Sequence, residues 1–343
     1  MEDGAGARPL SPCGFDACLS TAMNTTWLRL AGGAALLGGA AIAVKQRVAR
    51  AECEHPPVGR FVTVDGVRLH YVEAGDGPPL VLLHGLGSMI EDLMLSGLIR
   101  EAAKRYRVIA FDRPGYGRSE RPRRFRYGPV AQANLVHEAC RALDAPRPIV
   151  LGHSWGALVA AALALEHPGA VRSLVLMSGL YFPSIRFDAP LMMPPALPLL
   201  GGVLARTLSP LAGRAMWPAQ LRMLFGPAPV PRRFAQYFPA WMALRPGQLQ
   251  AQAEDAAVTL FATLRFARRY RELKLPVVLA AGVRDRFVST RAHTERLHAL
   301  LPASRLLLSP HAGHMVQHSD LRLVLSAVDA AAWPSTGSFA TRA

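Results

Sequence analysis

Ser154 lies in the pattern Gly152-His153-Ser154-Trp155-Gly156, between a short apolar run and a run rich in Ala and Leu. A strand, a sharp turn and a helix in this order lift a serine hydroxyl out of an α/β sheet. The glycines fit such a turn, because its backbone is strained and the helix passes close to the strand. We predict that Ser154 is a nucleophile, and because so short a pattern also occurs by chance, the prediction needs partners elsewhere.

Two later residues could activate this serine. A serine hydroxyl needs a base to take its proton and an acid to orient that base. Asp285 directly follows the apolar run that ends at Ala281, and His314 follows the run that ends near Leu308. Both residues would lie in loops after strands, in the order Ser, Asp, His that this architecture uses. We predict a triad of Ser154, Asp285 and His314.

Acyl transfer also needs N–H donors for the oxyanion that develops in the transition state. The backbone N–H of Trp155 lies at the predicted start of a helix, where N–H groups are free. A second donor would come from the loop His84-Gly85-Leu86-Gly87, which follows a buried apolar run. We predict an oxyanion hole formed by the N–H groups of Leu86 and Trp155.

Three histidines, His311, His314 and His318, occur together and could suggest a metal site. No cluster of Asp, Glu or Cys completes such a site, and Gly313 breaks the helix that would align the histidines. We therefore expect no metal and no cofactor.

The chain from residue 59 to 179 alternates short apolar runs with helical patterns. This alternation predicts a mostly parallel sheet with helices on both faces. A hairpin signal, Asp65-Gly66, joins the first two runs. The alternation stops at Gly179 and resumes in a second core segment, residues 271–334.

Residues 180–270 interrupt the sheet pattern with prolines, short helical pieces and many Met, Leu and aromatic residues. We predict a helical cap over the carboxyl ends of the strands, where open α/β sheets bind ligands. Its composition predicts a small apolar substrate. The candidate substrate-binding residues are His84, Tyr181, Trp217, Phe225 and Trp241, although hydrogen bonding within its loop is the commoner role for a residue such as His84.

Residues 27–44 form an apolar segment in which Arg29 is the one charged residue. Its uncharged part is shorter than the roughly 20 residues that span a bilayer. We predict an N-terminal apolar helix that is a membrane anchor or a signal-peptide core, with a surface helix as the third possibility. Because Lys45, Arg47 and Arg50 follow, an anchor would leave the catalytic domain in the cytoplasm. An exported and a soluble cytoplasmic protein are the alternatives.

The remaining segments carry little pattern. We expect disorder in residues 1–26 and 335–343 and a linker in residues 45–58. Met23 precedes a usual short start before an apolar segment, so translation could begin there.

The formal net charge of the 343 residues is +15, which would ordinarily suggest nucleic acid, an anionic membrane or an acidic substrate. The arginines are scattered, and their abundance together with Ala, Gly and Pro fits a coding bias. No nucleic-acid-binding motif accompanies them, so we expect no nucleic-acid partner. The four cysteines have no spacing typical of disulfides or zinc, and the oligomeric state stays open.

Five motifs in order resemble those of the α/β-hydrolase fold superfamily, in its capped, serine-nucleophile branch. The resemblance spans about residues 60–333 and implies an eight-stranded sheet, a Ser-Asp-His triad and a cap between strands six and seven. The motifs are His84–Gly87, Asp112–Ser119, Gly152–Gly156, Gly282–Asp285 with Val288, and Gly313-His314.

Several residues differ from those of related branches of the superfamily and so narrow the choice of branch. Epoxide hydrolases and haloalkane dehalogenases have Asp at the position of Ser154, and epoxide hydrolases usually have Pro at the position of Gly87. Many esterases and cofactor-free haloperoxidases have Gly at the position of Ala157. Proline iminopeptidases carry acidic groups in the cap, for which only Asp188, Glu254 and Asp255 are available here.

We predict a serine hydrolase that cleaves an apolar carboxylic ester, thioester or lactone through an acyl-enzyme. Three alternatives stay open. They are a carbon–carbon bond hydrolase that uses the same triad on a diketone, a protein that is epoxide-hydrolase-like by similarity only, and a non-catalytic binding protein on the same fold.

Overall fold

A computed structural model describes residues 15–122, 127–184 and 193–333. Within these residues, eight strands form one sheet in the order β1-β2-β4-β3-β5-β6-β7-β8. The first two pairings, β1 with β2 and β2 with β4, are antiparallel, and the other five are parallel. This confirms the predicted mostly parallel, eight-stranded sheet. The strands are β1 (Arg60–Val64), β2 (Val67–Ala74), β3 (Pro79–Leu83), β4 (Arg107–Phe111), β5 (Ile149–His153), β6 (Ser173–Met177), β7 (Val277–Gly282) and β8 (Arg305–Ser309).

Strands β1 and β2 form a hairpin closed by Asp65 and Gly66, which have φ angles of 49° and 71°. Two consecutive positive φ angles match the right-handed twist of the flanking strands, and Asp-Gly adopts them at low cost. The hairpin signal in the sequence therefore corresponds to the observed turn.

The central strands are apolar on both faces because helices cover both faces. In β3, Leu80 and Leu82 pack into one core, and Val81 and Leu83 pack into the core on the opposite face. Successive side chains point to opposite sides of a strand, so a strand buried on both sides has an unbroken apolar run. Helices α2 (Ile90–Leu95), α3 (Leu98–Ala102) and α13 (Leu321–Ala332) cover the first face, and α4 (Pro129–Ala142) and α5 (Trp155–Glu166) cover the second.

A group of helices lies between β6 and β7 in the chain and forms the cap. It consists of a short 3-10 turn (Pro194–Ala196), α6 (Gly201–Arg206), α7 (Leu208–Phe225), α8 (Arg232–Tyr237), α9 (Ala240–Ala243) and α10 (Pro246–Ala267). The later part of the core also contains a 3-10 turn (Tyr270–Glu272), a π turn (Arg291–Glu295) that continues into α11 (Arg296–Leu300), and α12 (Val316–Ser319).

The N-terminal helix α1 extends over Phe15–Glu54. It therefore includes residues 15–26, where the sequence indicated disorder, and residues 45–54, where it indicated a linker. Residues Val44 and Ala51 are buried, and Ala51 packs in one apolar cluster with residues of the cap.

None of the helices in the described residues is both long enough and apolar enough to cross a bilayer. The structure thus does not support the membrane anchor predicted at residues 27–44. The tail predicted at residues 335–343 lies outside the described residues.

Candidate active site

Ser154 lies in a strained turn between β5 and α5. Its φ and ψ angles are 54° and −118°, a region that non-glycine residues rarely adopt. A Cβ atom on Gly152 would lie 2.4 Å from the carbonyl oxygen of Gly156, and one on Gly156 would lie 2.4 Å from that of Leu83. Both glycines are therefore required by close backbone contacts, as the sequence pattern predicted.

Three predicted site residues meet at the carboxyl ends of the strands. His314 Nε2 is 3.0 Å from Ser154 Oγ, and His314 Nδ1 is 2.8 Å from Asp285 Oδ2. All three side chains are buried. When Nδ1 donates its hydrogen to Asp285, Nε2 is left as an acceptor that can remove the serine proton.

Backbone donors hold the Asp285 carboxylate in place. Its Oδ1 atom accepts hydrogen bonds from the N–H groups of Phe287 and Val288, both at 2.8 Å. Burial opposes ionisation of this carboxyl, but the charge and hydrogen bond of His314, together with these two N–H donors, lower its pKa below the usual value. Asp285 is thus an anion at neutral pH, as a group that orients an imidazolium must be.

The two predicted oxyanion donors belong to segments that adjoin the site of Ser154. Trp155 is the first residue of helix α5, where the early N–H groups have no partner within the helix. Leu86 lines the same cavity as Ser154 and His314.

A cavity of about 360 Å³ extends from Ser154 and His314 into the cap. Among the described residues, no Lys, Arg, Asp or Glu side chain lines it. Its apolar wall comes mainly from helix α7 and from residues around it: Leu204, Leu208, Ala212, Met216, Trp217, Leu221, Met223, Leu224, Phe225, Phe234, Phe238, Leu244, Leu249, Phe287 and Met315. The site can therefore accommodate an uncharged, apolar group beside a nucleophile and a base.

Two of the five predicted substrate-binding residues, Trp217 and Phe225, line this cavity. His84 does not, because both of its ring nitrogens are used within the core. Its Nδ1 is 2.8 Å from the carbonyl oxygen of Gly85, and its Nε2 accepts from the N–H of Arg113 at 3.0 Å. The structure therefore places His84 outside the cavity wall.

Tyr181 and Trp241 also lie outside the cavity wall. Tyr181 is buried beside the sheet, where its hydroxyl accepts from the N–H of Gly179 at 3.2 Å and its ring packs edge-on against Tyr270. Trp241 faces helix α1, and the guanidinium of Arg47 lies 5.7 Å from its ring centre. Both aromatic residues stabilise packing outside the cavity.

The sequence analysis missed Phe287 and Met315, which line the cavity next to the triad. The ring of Phe287 lies 4.9 Å from that of His314. Both residues directly follow predicted site motifs, in the loops of Asp285 and His314, and this proximity was the available signal.

The histidine trio does not converge on one point. His318 Nε2 is 2.6 Å from Asp92 Oδ1, whereas His314 faces Ser154 and His311 is exposed. The described residues contain no group of three or more His, Cys, Asp or Glu side chains that could hold a metal ion.

A mostly parallel sheet with a serine at a strand-to-helix turn and Asp and His after later strands defines an α/β hydrolase. The family described as alpha/beta hydrolase fold matches residues 78–321, and the chain belongs to it. It is accordingly a hydrolase.

Known relatives differ in the reaction that their names describe. Haloalkane dehalogenase 2 of Mycobacterium tuberculosis is 28% identical over 288 residues, which are 80% of this chain and 94% of that protein. The 2-hydroxymuconate semialdehyde hydrolase of Pseudomonas sp. strain CF600 is 37% identical over 131 residues, which are 37% of this chain and 46% of that protein. A solved bacterial membrane phospholipase A is similar with a TM-score of 0.61 and 22% identity, over 91% of this chain and 99% of that one. At this identity, the structural similarity supports the fold alone.

Proposed function

We propose that this hydrolase cleaves an apolar carboxylic ester, thioester or lactone through an acyl-enzyme on Ser154. The observation that carries the proposal is the 3.0 Å contact between Ser154 Oγ and His314 Nε2 at the end of an uncharged, apolar cavity. A nucleophile paired with a base provides acyl transfer, and the cavity selects an acyl part without charge.

The reaction would proceed in two halves. Ser154 Oγ attacks the carbonyl carbon while His314 Nε2 takes the hydroxyl proton, and the N–H groups of Leu86 and Trp155 stabilise the oxyanion. His314 then returns the proton to the leaving alcohol or thiol, and the acyl group remains on Ser154. Water, deprotonated by His314, attacks the acyl-enzyme and releases the acid. Asp285 keeps the imidazole oriented in both halves.

The serine also argues against dehalogenation. The aspartate of a dehalogenase displaces halide to form an ester, which water can hydrolyse. Displacement by Ser154 would leave an alkyl ether on Oγ, which the triad cannot release. The similarity to haloalkane dehalogenase 2 is therefore a similarity of fold and loops rather than of chemistry.

A carbon–carbon bond hydrolase is the second candidate, favoured by the 37% identity to 2-hydroxymuconate semialdehyde hydrolase. A muconate semialdehyde carries a carboxylate, which needs a cation or several donors when it leaves water. No Lys or Arg among the described residues lines the cavity, so we rank a neutral ester first.

Hydrolysis of p-nitrophenyl esters from acetate to decanoate tests the proposal, with the Ser154→Ala variant as control. Each methylene buried in the cavity contributes about 0.8 kcal/mol, so kcat/KM should rise up to about fourfold per added methylene until the cavity is full. A dienoate diketone should be a poor substrate. Preference for the diketone over every ester would favour the second candidate, and a flat ester series would contradict the apolar acyl site.

A further inference from the structure

The cap displays apolar side chains at its surface, beside the active-site cavity. We call these six residues, from the 3-10 turn to the start of α7, the apolar rim: Leu197, Leu199, Leu200, Val203, Leu208 and Leu211. All are between 38% and 99% exposed. Such a contiguous run of exposed large apolar residues marks an interaction surface in most proteins.

The rim is continuous with the cavity. Leu208 is half exposed to solvent and also lines the cavity. Pro195, two residues before the first rim residue, and Leu204, between Val203 and Leu208, are cavity residues too. An apolar molecule at the rim could therefore reach Ser154 without crossing a charged surface.

Leu199 carries two unfavourable features at once. It has a φ angle of 64°, in the left-handed region that disfavours a residue with a branched side chain. Its side chain is 99% exposed, so contacts with the described residues hardly compensate for the strained backbone. A strained backbone that points a leucine into solvent is typical of a site that acts on an external partner.

Positive charges predominate in the cap segment that carries the rim. No Asp or Glu occurs in the sequence between Asp188 and Glu254, although Glu52 and Glu254 line a groove together with Leu197 and Leu199. Exposed arginines occur on helices α6, α7 and α8 of this segment: Arg206, Arg214, Arg222, Arg232 and Arg233. Cations around an apolar patch complement a surface that is anionic outside and apolar beneath.

Helix α1, which is next to the helices of the rim, also exposes apolar residues. It packs beside α6 and α7, and it exposes Leu36 and Ile42 in a stretch that contains no acidic residue before Glu52.

We propose that the apolar rim docks on an anionic phospholipid bilayer, with the mouth of the cavity facing the lipid. The rim leucines enter the boundary between headgroups and acyl chains, and the flanking arginines contact lipid phosphates. The proposal goes beyond the hydrolytic function, because docking requires no turnover. It also gives the large positive charge of the chain a physical role.

Vesicle flotation tests the proposal on the full chain carrying Ser154→Ala, so that no lipid is hydrolysed. The vesicles contain phosphatidylcholine alone or phosphatidylcholine with phosphatidylglycerol, at an ionic strength of about 0.15 M. We expect about tenfold more protein on the anionic vesicles, and a loss of this binding as salt is raised.

Two matched triple variants locate the contact. Leu199→Ser, Leu200→Ser and Val203→Ser change rim residues outside the cavity wall, and should reduce flotation about tenfold. The control variant, Leu260→Ser with Phe261→Ser and Leu264→Ser, removes other exposed apolar residues on α10, beside the Arg265–Glu166 ion pair. It should change flotation less than about twofold. Circular dichroism checks that both variants fold.

Three outcomes would overturn the proposal. The first is the absence of flotation with anionic vesicles, and the second is an equal loss in both triple variants. The third is a rim variant that dissociates an oligomer in sedimentation but floats normally, which would make the rim a protein interface. Because the measurement uses Ser154→Ala, none of these results bears on the hydrolytic activity.

Discussion

Arg113 and Asp255 form a buried ion pair that joins the core to the cap. Arg113 Nη1 lies 2.8 Å from Asp255 Oδ2, and both side chains are fully buried. The same guanidinium donates to the carbonyl oxygens of His84 and Gly85, at 3.0 and 3.1 Å, and lies 4.5 Å from the ring of Trp155. One side chain thus contacts the cap, the predicted oxyanion loop and the residue after the nucleophile.

Removing the acid of this pair should destabilise the protein strongly. Asp255→Ala leaves the Arg113 charge buried without its partner, and breaking a buried pair costs about 3–5 kcal/mol. The neighbouring Glu254 is about half exposed and pairs with Arg121, which Asp255 also holds, so Glu254→Ala should cost less than about 1 kcal/mol. Urea unfolding measures both free energies. Similar losses in the two variants would contradict the special role of the buried pair.

The turn at Ser154 should tolerate no side chain at Gly152. A Cβ atom there would lie 2.4 Å from the Gly156 carbonyl oxygen, so Gly152→Ala must shift the backbone at the nucleophile. We expect a loss of about 1–3 kcal/mol in unfolding free energy and of most esterase activity. Gly247→Ala is the control, because nothing lies within 4 Å of a Cβ atom at that position. Full activity of Gly152→Ala would show that the turn is not constrained.

Two tryptophans of the cap should differ in their effect on substrate choice. Trp217 lines the cavity and Trp241 packs against Arg47 instead. Trp217→Ala should lower kcat/KM for a p-nitrophenyl decanoate about tenfold while changing that for the acetate less than about twofold. Trp241→Ala should leave the ratio of the two kcat/KM values, decanoate to acetate, unchanged. An equal change of the ratio in both variants would mean that the acyl chain does not occupy this cavity.

Two buried histidines should make the folded state less stable in acid. Burial lowers the pKa of His84 to about 3 and that of His153 to about 4, with smaller contributions from the charges of Arg113 and His314 respectively. The unfolded chain takes up these protons near the ordinary pKa of about 6.5. The stability contributed by both neutral histidines is therefore complete above about pH 6.5 and is lost as the pH falls toward about 4.

Glu91 opposes this trend. Burial, followed by the charge of Asp112, raises the pKa of Glu91 to about 7. At a pH between the usual pKa of a glutamate and about 7, Glu91 is therefore protonated in the folded state and ionised in the unfolded state. Between about pH 6 and pH 5, the unfolding free energy of the wild type should fall by about 1.4 kcal/mol, because unfolding then takes up about one proton net. In Glu91→Gln the unfolding free energy should fall by about twice as much. Urea unfolding across this range measures the two slopes, and equal slopes would contradict the assignment.

The sheet and the triad could be predicted from the sequence because each depends on a local pattern. Asp65-Gly66 determines its own turn, the unbroken apolar runs identify strands covered on both faces, and Ser154, Asp285 and His314 each directly follow such a run. The order of the motifs along the chain then brings them to one edge of the sheet.

The cavity lining could not be predicted in the same way. Composition identifies the cap as apolar, but which aromatic residues face Ser154 depends on how helix α7 packs against α1 and the core. Trp217 and Trp241 have the same residue type, and only tertiary contacts distinguish them. The Arg113–Asp255 pair joins residues 142 positions apart, and no local pattern indicates that two charged residues will be buried together.

Covalent labelling of Ser154 tests the central claim most directly. A fluorophosphonate phosphorylates a serine only when a neighbouring base activates it and an oxyanion hole accommodates the phosphoryl oxygen. We predict stoichiometric labelling of the folded protein, located by mass spectrometry of peptides to Ser154, and its loss in His314→Ala as well as in Ser154→Ala. Folded wild-type protein that remains unlabelled, or that is labelled on another residue, would contradict the assignment of Ser154 as the nucleophile.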